Sequence, residues 1–169
     1  MIARGINQYL EFGDNAAVVR YVKECYEKWR NQPYDIVEDL RKKGVNDTIS
    51  IDEQCYAIFD YLLNHVKYVM DKTGYQYIKS PARLLADGTG DCKSMTIFIA
   101  SCLHCLGIPH AIRFVNFDGG NQYTHVYPIA FDEYNSPIIL DAVERDANNQ
   151  PIYNYARQFA KNKDIFYAR

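Results

Sequence analysis

An α+β fold, with a helical N-terminal part and a central helix packed on an antiparallel β-sheet, is predicted by two features of the sequence. Apolar residues recur at three- and four-residue intervals through the first 70 positions and again over 91–106. From Ala111 onward they alternate instead, in runs separated by Asp118-Gly119-Gly120-Asn121 and Asp132-Glu133-Tyr134-Asn135-Ser136. Helices followed by a strand meander make a layered domain in which the last helix covers the sheet.

The elements follow in order. Val18, Val19, Val22, Cys25, Tyr26 and Trp29 form one helical stripe, with Asn15 as its cap. Pro33 opens a second helix whose face carries Ile36, Val37 and Leu40, and Gly44 closes it. Ser50-Ile51-Asp52-Glu53 has capping-box spacing and introduces a third helix, with Ile51, Cys55, Ile58, Phe59, Leu62, Leu63 and Val66 inward. Asp71-Lys72-Thr73-Gly74 reads as a turn, Ser80-Pro81 as the start of a short helical turn, and Asp87-Gly88-Thr89-Gly90 as a flexible approach. The central helix runs from about Asp91 to Leu106, with Met95, Phe98, Ile99, Cys102, Leu103 and Leu106 apolar. It stops at Gly107-Ile108-Pro109. Strands are expected over Ala111–Phe117, Tyr123–Phe131 and Pro137–Val143, and a short helix near Tyr153–Lys161 in a polar tail.

The 169 residues suit a single domain: a helical extension over 1–49, a core over 50–145 and a tail over 146–169. With 48% hydrophobic residues, 24% charged and a formal net charge of −2, the composition is globular and gives no sign of a nucleic-acid or membrane partner. Fifteen tyrosines suit core edges and half-wet grooves. The N-terminus lacks a secretion-signal pattern and no apolar run reaches the ~20 residues of a spanning helix. Five cysteines without scaffold spacing argue for free thiols, so a cytoplasmic location is expected.

The chemistry is concentrated at Cys92, which follows Gly88-Thr89-Gly90-Asp91 and sits in the first turn of an apolar helix. A helix N-terminus carries unpaired N–H groups and partial positive charge, which favour an anion such as a thiolate. A thiol so placed is nucleophilic near neutral pH when a base stands beside it. Cys25, Cys55 and Cys102 lie on apolar faces as ordinary core thiols.

The base is His125. If Phe131 pairs with Pro137, Asp141 opposes Tyr127 and is the diagonal neighbour of His125 on the same sheet face. A one-residue slip would separate them. Asp141 stands in the apolar run Ile138–Val143, where a carboxylate needs a partner. That partner is His125, or in a purely structural reading Arg113 or Arg145. Cys102, His104, Cys105 and His110 are close in sequence, but no second ligand pair follows, so no metal is expected.

The segment from Ile58 to Val143 resembles the transglutaminase-like domain of the papain-type cysteine enzymes. The matching pieces are Gly90-Asp91-Cys92, Leu106-Gly107-Ile108-Pro109-His110-Ala111, Thr124-His125-Val126-Tyr127 and Leu140-Asp141-Ala142. Tyr127 stands where the family commonly has Trp, and Ala142 where it often has Pro. The resemblance implies a papain-like fold, Cys92 as nucleophile, His125 as general base and acid, and Asp141 as orienter, with no cofactor. For the oxyanion hole, the Cys92 N–H is one donor and Gln76, Tyr75 or Tyr77 the candidates for a second, Gln76 being the papain-type residue. Calcium dependence, known in some animal relatives, finds no acidic ligand loop. The implied activity is thiol-dependent amide hydrolysis of a protein or peptide substrate (peptidase or amidase). The alternatives are transamidation by a transglutaminase and a non-catalytic interaction module using a Tyr-rich face.

Overall fold

The computed structural model describes residues 8–11, 15–70 and 75–168, with the side chains of 8–11, 75 and 76 excepted. In chain order the elements are β1 (Gln8–Glu11), α1 (Asn15–Trp29), α2 (Tyr34–Lys42), α3 (Ile51–His65), β2 (Lys67–Tyr68), β3 (Tyr75–Ile78), α4 (Pro81–Asp87), β4 (Thr89–Gly90), α5 (Cys92–Leu106), β5 (His110–Asn116), β6 (His125–Phe131), β7 (Pro137–Ile139) and β8 (Lys161–Tyr167). The main sheet is antiparallel with order β7-β6-β5-β8.

Helix α5 is the centre of the molecule. Every residue from Lys93 to Leu103 is buried, because the helix is covered on all sides. Met95, Phe98, Ile99, Cys102 and Leu103 pack with the stripes of α2 and α3, through Val37, Cys55, Ile58, Phe59 and Leu62. Ile97 and Ala100 pack with Val19, Val22, Tyr26 and Trp29 of α1 and with Ile112, Phe114 and Val126 of the sheet. A helix apolar all round needs both of its ends satisfied inside the protein. At the C-terminal end Gly107 takes φ +74°, its N–H bonds the carbonyl of His104, and the Ile108 N–H bonds that of Leu103. This is a Schellman motif, with Ile108 packed in the same cluster as Leu103.

Helix boundaries follow the local chemistry. Ser50 Oγ accepts from the Glu53 N–H at 3.1 Å and starts α3, and Ser80 does the same for α4 with Arg83. Pro33 precedes α2, and Gly44 at φ +101° follows it.

Three expectations are corrected. The first 70 residues are not wholly helical, since β1 pairs antiparallel with β3 and β2 pairs parallel with β4. The helix expected near Tyr153–Lys161 is absent, and Lys161–Tyr167 is instead the edge strand β8 alongside β5. Its alternation was hidden by the charges Lys161, Lys163 and Asp164 that an edge strand tolerates. Finally, the third strand of the meander ends at Ile139 and not at Val143. The expected turn at Asp71–Gly74 lies outside the described residues.

A buried histidine ties α1 to the sheet. His110 is 1% exposed. Its Nδ1–H donates to the carbonyl of Ile108 at 2.8 Å, so Nε2 is the acceptor for the Tyr26 hydroxyl at 2.6 Å. Tyr167 of β8 stacks on the same ring. Burial disfavours the charged ring and brings its pKa down to about 4. Between about 4 and the unfolded value near 6.5 the unfolded chain therefore binds the extra proton. The contribution of His110 is complete above pH 6.5 and is lost as pH falls through 4. Urea unfolding at pH 7, 5.5 and 4.5 should show stability falling by an amount on the order of 2 kcal/mol attributable to this ring. A His110→Gln variant, less stable at pH 7, should lose correspondingly less on acidification.

Candidate active site

The site is built at the buried start of α5. Asp91 is the N-cap: its Oδ1 accepts from the Ser94 N–H at 3.1 Å, and its Oδ2 is ion-paired with Lys93 Nζ, both side chains being buried. Ser94 Oγ accepts from the Lys79 N–H at 2.9 Å, joining the end of β3 to the helix start. The approach to Cys92 is pinned to α3's exit: the Lys67 N–H bonds the Gly88 carbonyl at 2.9 Å and the Val69 N–H that of Gly90 at 2.8 Å. Lys79 Nζ holds the Thr89 carbonyl at 2.8 Å and the Asp87 carboxylate at 3.0 Å. Gly90 is glycine for want of room, since a Cβ there would run into Leu84. The approach that reads as flexible is in fact a fixed support.

Cys92 is half-buried and packs against the α1–sheet cluster. The other four thiols are withdrawn from chemistry by burial, which pushes Cys25 up to about 12 and Cys105 up to about 11 and raises Cys55 and Cys102 as well.

One turn along α5, Thr96 Oγ1 donates to the Val126 carbonyl at 3.1 Å. This bond sets the helix against β6 at the residue after His125. His125 Nε2–H donates to Asp141 Oδ2 at 2.7 Å. The Cys92 thiol also acts on the ring and favours its charged form. Burial is the largest influence on this ring and acts against its charge. The bonds and charges of Asp141 and Cys92 outweigh it and raise the pKa to about 10. Phe117 stacks on the ring at 5.8 Å, and the Arg157 guanidinium lies 4.3 Å from the Phe117 ring centre.

Asp141 reaches His125 by a route that differs from the expected one. Phe131 does pair with Pro137 and Ile129 with Ile139. Beyond the Leu140 N–H bond to the Pro128 carbonyl the chain leaves the ladder. Asp141 then turns inward, its Oδ1 accepting from the Val143 N–H at 3.1 Å. It is 2% exposed. Neither arginine serves it: Arg113 pairs with Asp164, and Arg145 holds the carbonyls of Ala142 and Glu144. Sequence reasoning missed Glu144, whose carboxylate comes within 4.8 Å of His125 and Asp141. The only available signal was its three-residue spacing from Asp141.

The Cys92 N–H stands at the first helical position, where no intrahelical partner exists. Gln76 and Tyr75 lie on β3, and their side chains are outside the described residues. Cys102, His104, Cys105 and His110 do not converge. Cys105 Sγ is bonded to the Arg30 carbonyl, His104 to Asn31, and His110 to Tyr26, while Cys102 is in the core.

A buried helix start set against an antiparallel sheet, with His125 on β6 and Asp141 just beyond β7, is the arrangement of a papain-like α+β fold. Residues 34–142 match the Transglutaminase-like superfamily, and the chain belongs to it. The fold is similar to that of a proposed cysteine protease from Cytophaga hutchinsonii, at 14% identity and TM-score 0.52 over 96% of this chain and 63% of that one. It is similar also to a proposed protease from Parabacteroides distasonis, at 14% identity and TM-score 0.60 over 76% of this chain and 26% of that one. LapG of Legionella pneumophila aligns at 21% identity and TM-score 0.48 over 75% of this chain and 73% of that one. This chain thus spans under two thirds of the first two proteins' length. No curated protein matches the sequence. Among the described residues no helix is long and apolar enough to cross a membrane.

Replacing Asp91 by Ala removes the cap and leaves Lys93 buried without that carboxylate. Thermal and urea unfolding should show a loss of about 2–4 kcal/mol. Asp91→Asn, which keeps the cap but not the charge opposite Lys93, should lose less, by the ~1 kcal/mol of the cap.

Proposed function

We propose that the chain is a thiol-dependent amide-bond hydrolase, a cysteine peptidase or amidase acting on a protein or peptide. The observation that carries this reading is the Nε2–Asp141 hydrogen bond of buried His125, with Asp141 and the Cys92 thiol both favouring the charged ring. An imidazole in this position takes the thiol proton through Nδ1, while Asp141 holds the tautomer and stabilises the charged ring. Cys92 Sγ attacks the amide carbonyl, and the oxyanion forms at the start of α5, where the Cys92 N–H has no intrahelical partner. His125 Nδ1–H then protonates the leaving amine as the C–N bond breaks, giving a thioester on Cys92. The neutral ring next takes a proton from water. Hydroxide adds to the thioester, and the acid leaves as Cys92 and His125 return to their starting state.

The four cysteines other than Cys92 have raised pKa values and do not compete as nucleophiles. Hydrolysis is preferred to transamidation because it needs no separate amine site in so small a domain.

The test is turnover of a pool of internally quenched peptides and of unfolded protein by wild type and Cys92→Ser. Turnover should fall by roughly three orders of magnitude or more in the variant. Incorporation of a fluorescent primary amine into protein at the expense of cleavage would move the reading to acyl transfer. Equal turnover by the two proteins would exclude Cys92 as nucleophile.

A further inference from the structure

Glu144 is a charged side chain at the site that the chemistry above does not use. Its carboxylate oxygen lies within 4.8 Å of both a ring nitrogen of His125 and a carboxylate oxygen of Asp141. Glu144 is half-buried, whereas Asp141 is almost fully buried. The segment carrying it is held in place: Arg145 Nη1 donates to the carbonyls of Ala142 and Glu144 at 3.0 and 3.2 Å. The Arg145 guanidinium is thus engaged by backbone, and the described bonds leave the Glu144 carboxylate facing the His125–Asp141 pair.

Two carboxylates at this separation repel each other, more strongly in a partly desolvated pocket than in water. A cation beside both relieves that cost. The charges and polar groups facing His125 come from every element around it. Helix α5 presents the Cys92 thiol, with the Asp91–Lys93 pair at the same helix start. Strand β6 presents the Tyr127 ring at 5.7 Å. The connection after β5 presents Phe117, and the Arg157 guanidinium lies over the same Phe117 ring. The segment after β7 presents Asp141 and Glu144. Lys93 in this set is paired with Asp91, Arg157 lies over Phe117, and Arg145 keeps its charge while bonded to backbone carbonyls; the His125 ring is the group placed within 4.8 Å of both carboxylates.

We propose that Glu144 is a positioning residue for the site, holding His125 in its charged, Asp141-bonded state by adding a second carboxylate beside the ring. Asp141 sets the direction of the ring through a hydrogen bond, and Glu144 adds field without a bond of its own to Nε2. A neutral ring leaves the two carboxylates in uncompensated repulsion, so the effect is tied to the proton on His125 and not to packing.

The link to catalysis rests on the peptidase reading, but the effect on the ring does not, and the experiment separates the two. The His125 Cε1–H resonance is titrated by NMR, in buffer with EDTA, in a Cys92→Ser background and in the same background with Glu144→Gln or Glu144→Asp. The Glu144→Gln protein should show His125 losing its proton about one pH unit lower, and Glu144→Asp should recover part of that shift. The His110 resonance, in a separate environment, serves as the folding control and should not move. Superimposable His125 titrations in the parent and Glu144→Gln proteins overturn the proposal, as does a fall that Glu144→Asp reproduces in full. With Cys92 restored, the alkaline limb of kcat/KM should move by the same amount with KM nearly unchanged. Absence of turnover in every protein would count against the peptidase reading while leaving the NMR result to decide the role of Glu144.

Discussion

The hydrogen bond from Thr96 to the Val126 carbonyl joins the two halves of the molecule at the point where its chemistry is gathered. On one side is a helix buried from Lys93 to Leu103, held by α1, α2 and α3. On the other is a four-stranded sheet whose strand β6 begins with His125. A buried hydroxyl and a buried carbonyl that satisfy each other make a slide or rotation of helix against strand costly, since either movement strands both groups. Cys92 lies one turn before Thr96, and His125 one residue before Val126. The relative position of thiol and imidazole is therefore fixed by core packing and not by the loops that precede each residue.

The same logic extends to the buried helix start. Unpaired N–H groups inside a protein need acceptors or an anion. Asp91 takes one of them and the Lys79–Ser94 bond anchors the neighbouring strand. The first-turn position carries a sulfur atom and an N–H with no intrahelical partner. Burial disfavours the charge on both histidines, and their partners decide the outcome. His110, bonded to a carbonyl and a phenol, is held neutral. His125, bonded to a carboxylate and a thiol, is held charged in spite of comparable burial. Partner chemistry, and not depth, separates a structural ring from a reactive one.

Much of this was legible in the sequence, for physical reasons. Helical periodicity over α1, α2, α3 and α5 reports burial against a common core, and the Gly107-Ile108-Pro109 stop reports a left-handed turn. The pairing of Phe131 with Pro137 followed from a short turn and alternation. What was not legible depends on non-local pairing. Strand β8 closes on β5 across some fifty residues of sequence with charges on its exposed positions, and nothing local distinguishes it from a polar tail. Asp141 was placed beside His125 by extending a ladder that actually stops at Ile139. The carboxylate arrives through a turn closed by its own bond to the Val143 N–H. Glu144 is brought in by that same turn, which strand alternation gave no reason to expect.

The account stands on the coupling of Cys92 to His125, and the rate of alkylation by iodoacetamide tests it without knowledge of a substrate. Rates at Cys92 would be followed by mass spectrometry from pH 4 to 9 in wild type and His125→Ala. The account predicts rapid modification of Cys92 already at pH 6, confined to that cysteine, and slowed roughly tenfold or more by loss of His125. Cys92 reacting at pH 6 no faster in wild type than in His125→Ala would contradict it. The buried helix start would then be a structural feature, and the fold a scaffold for binding.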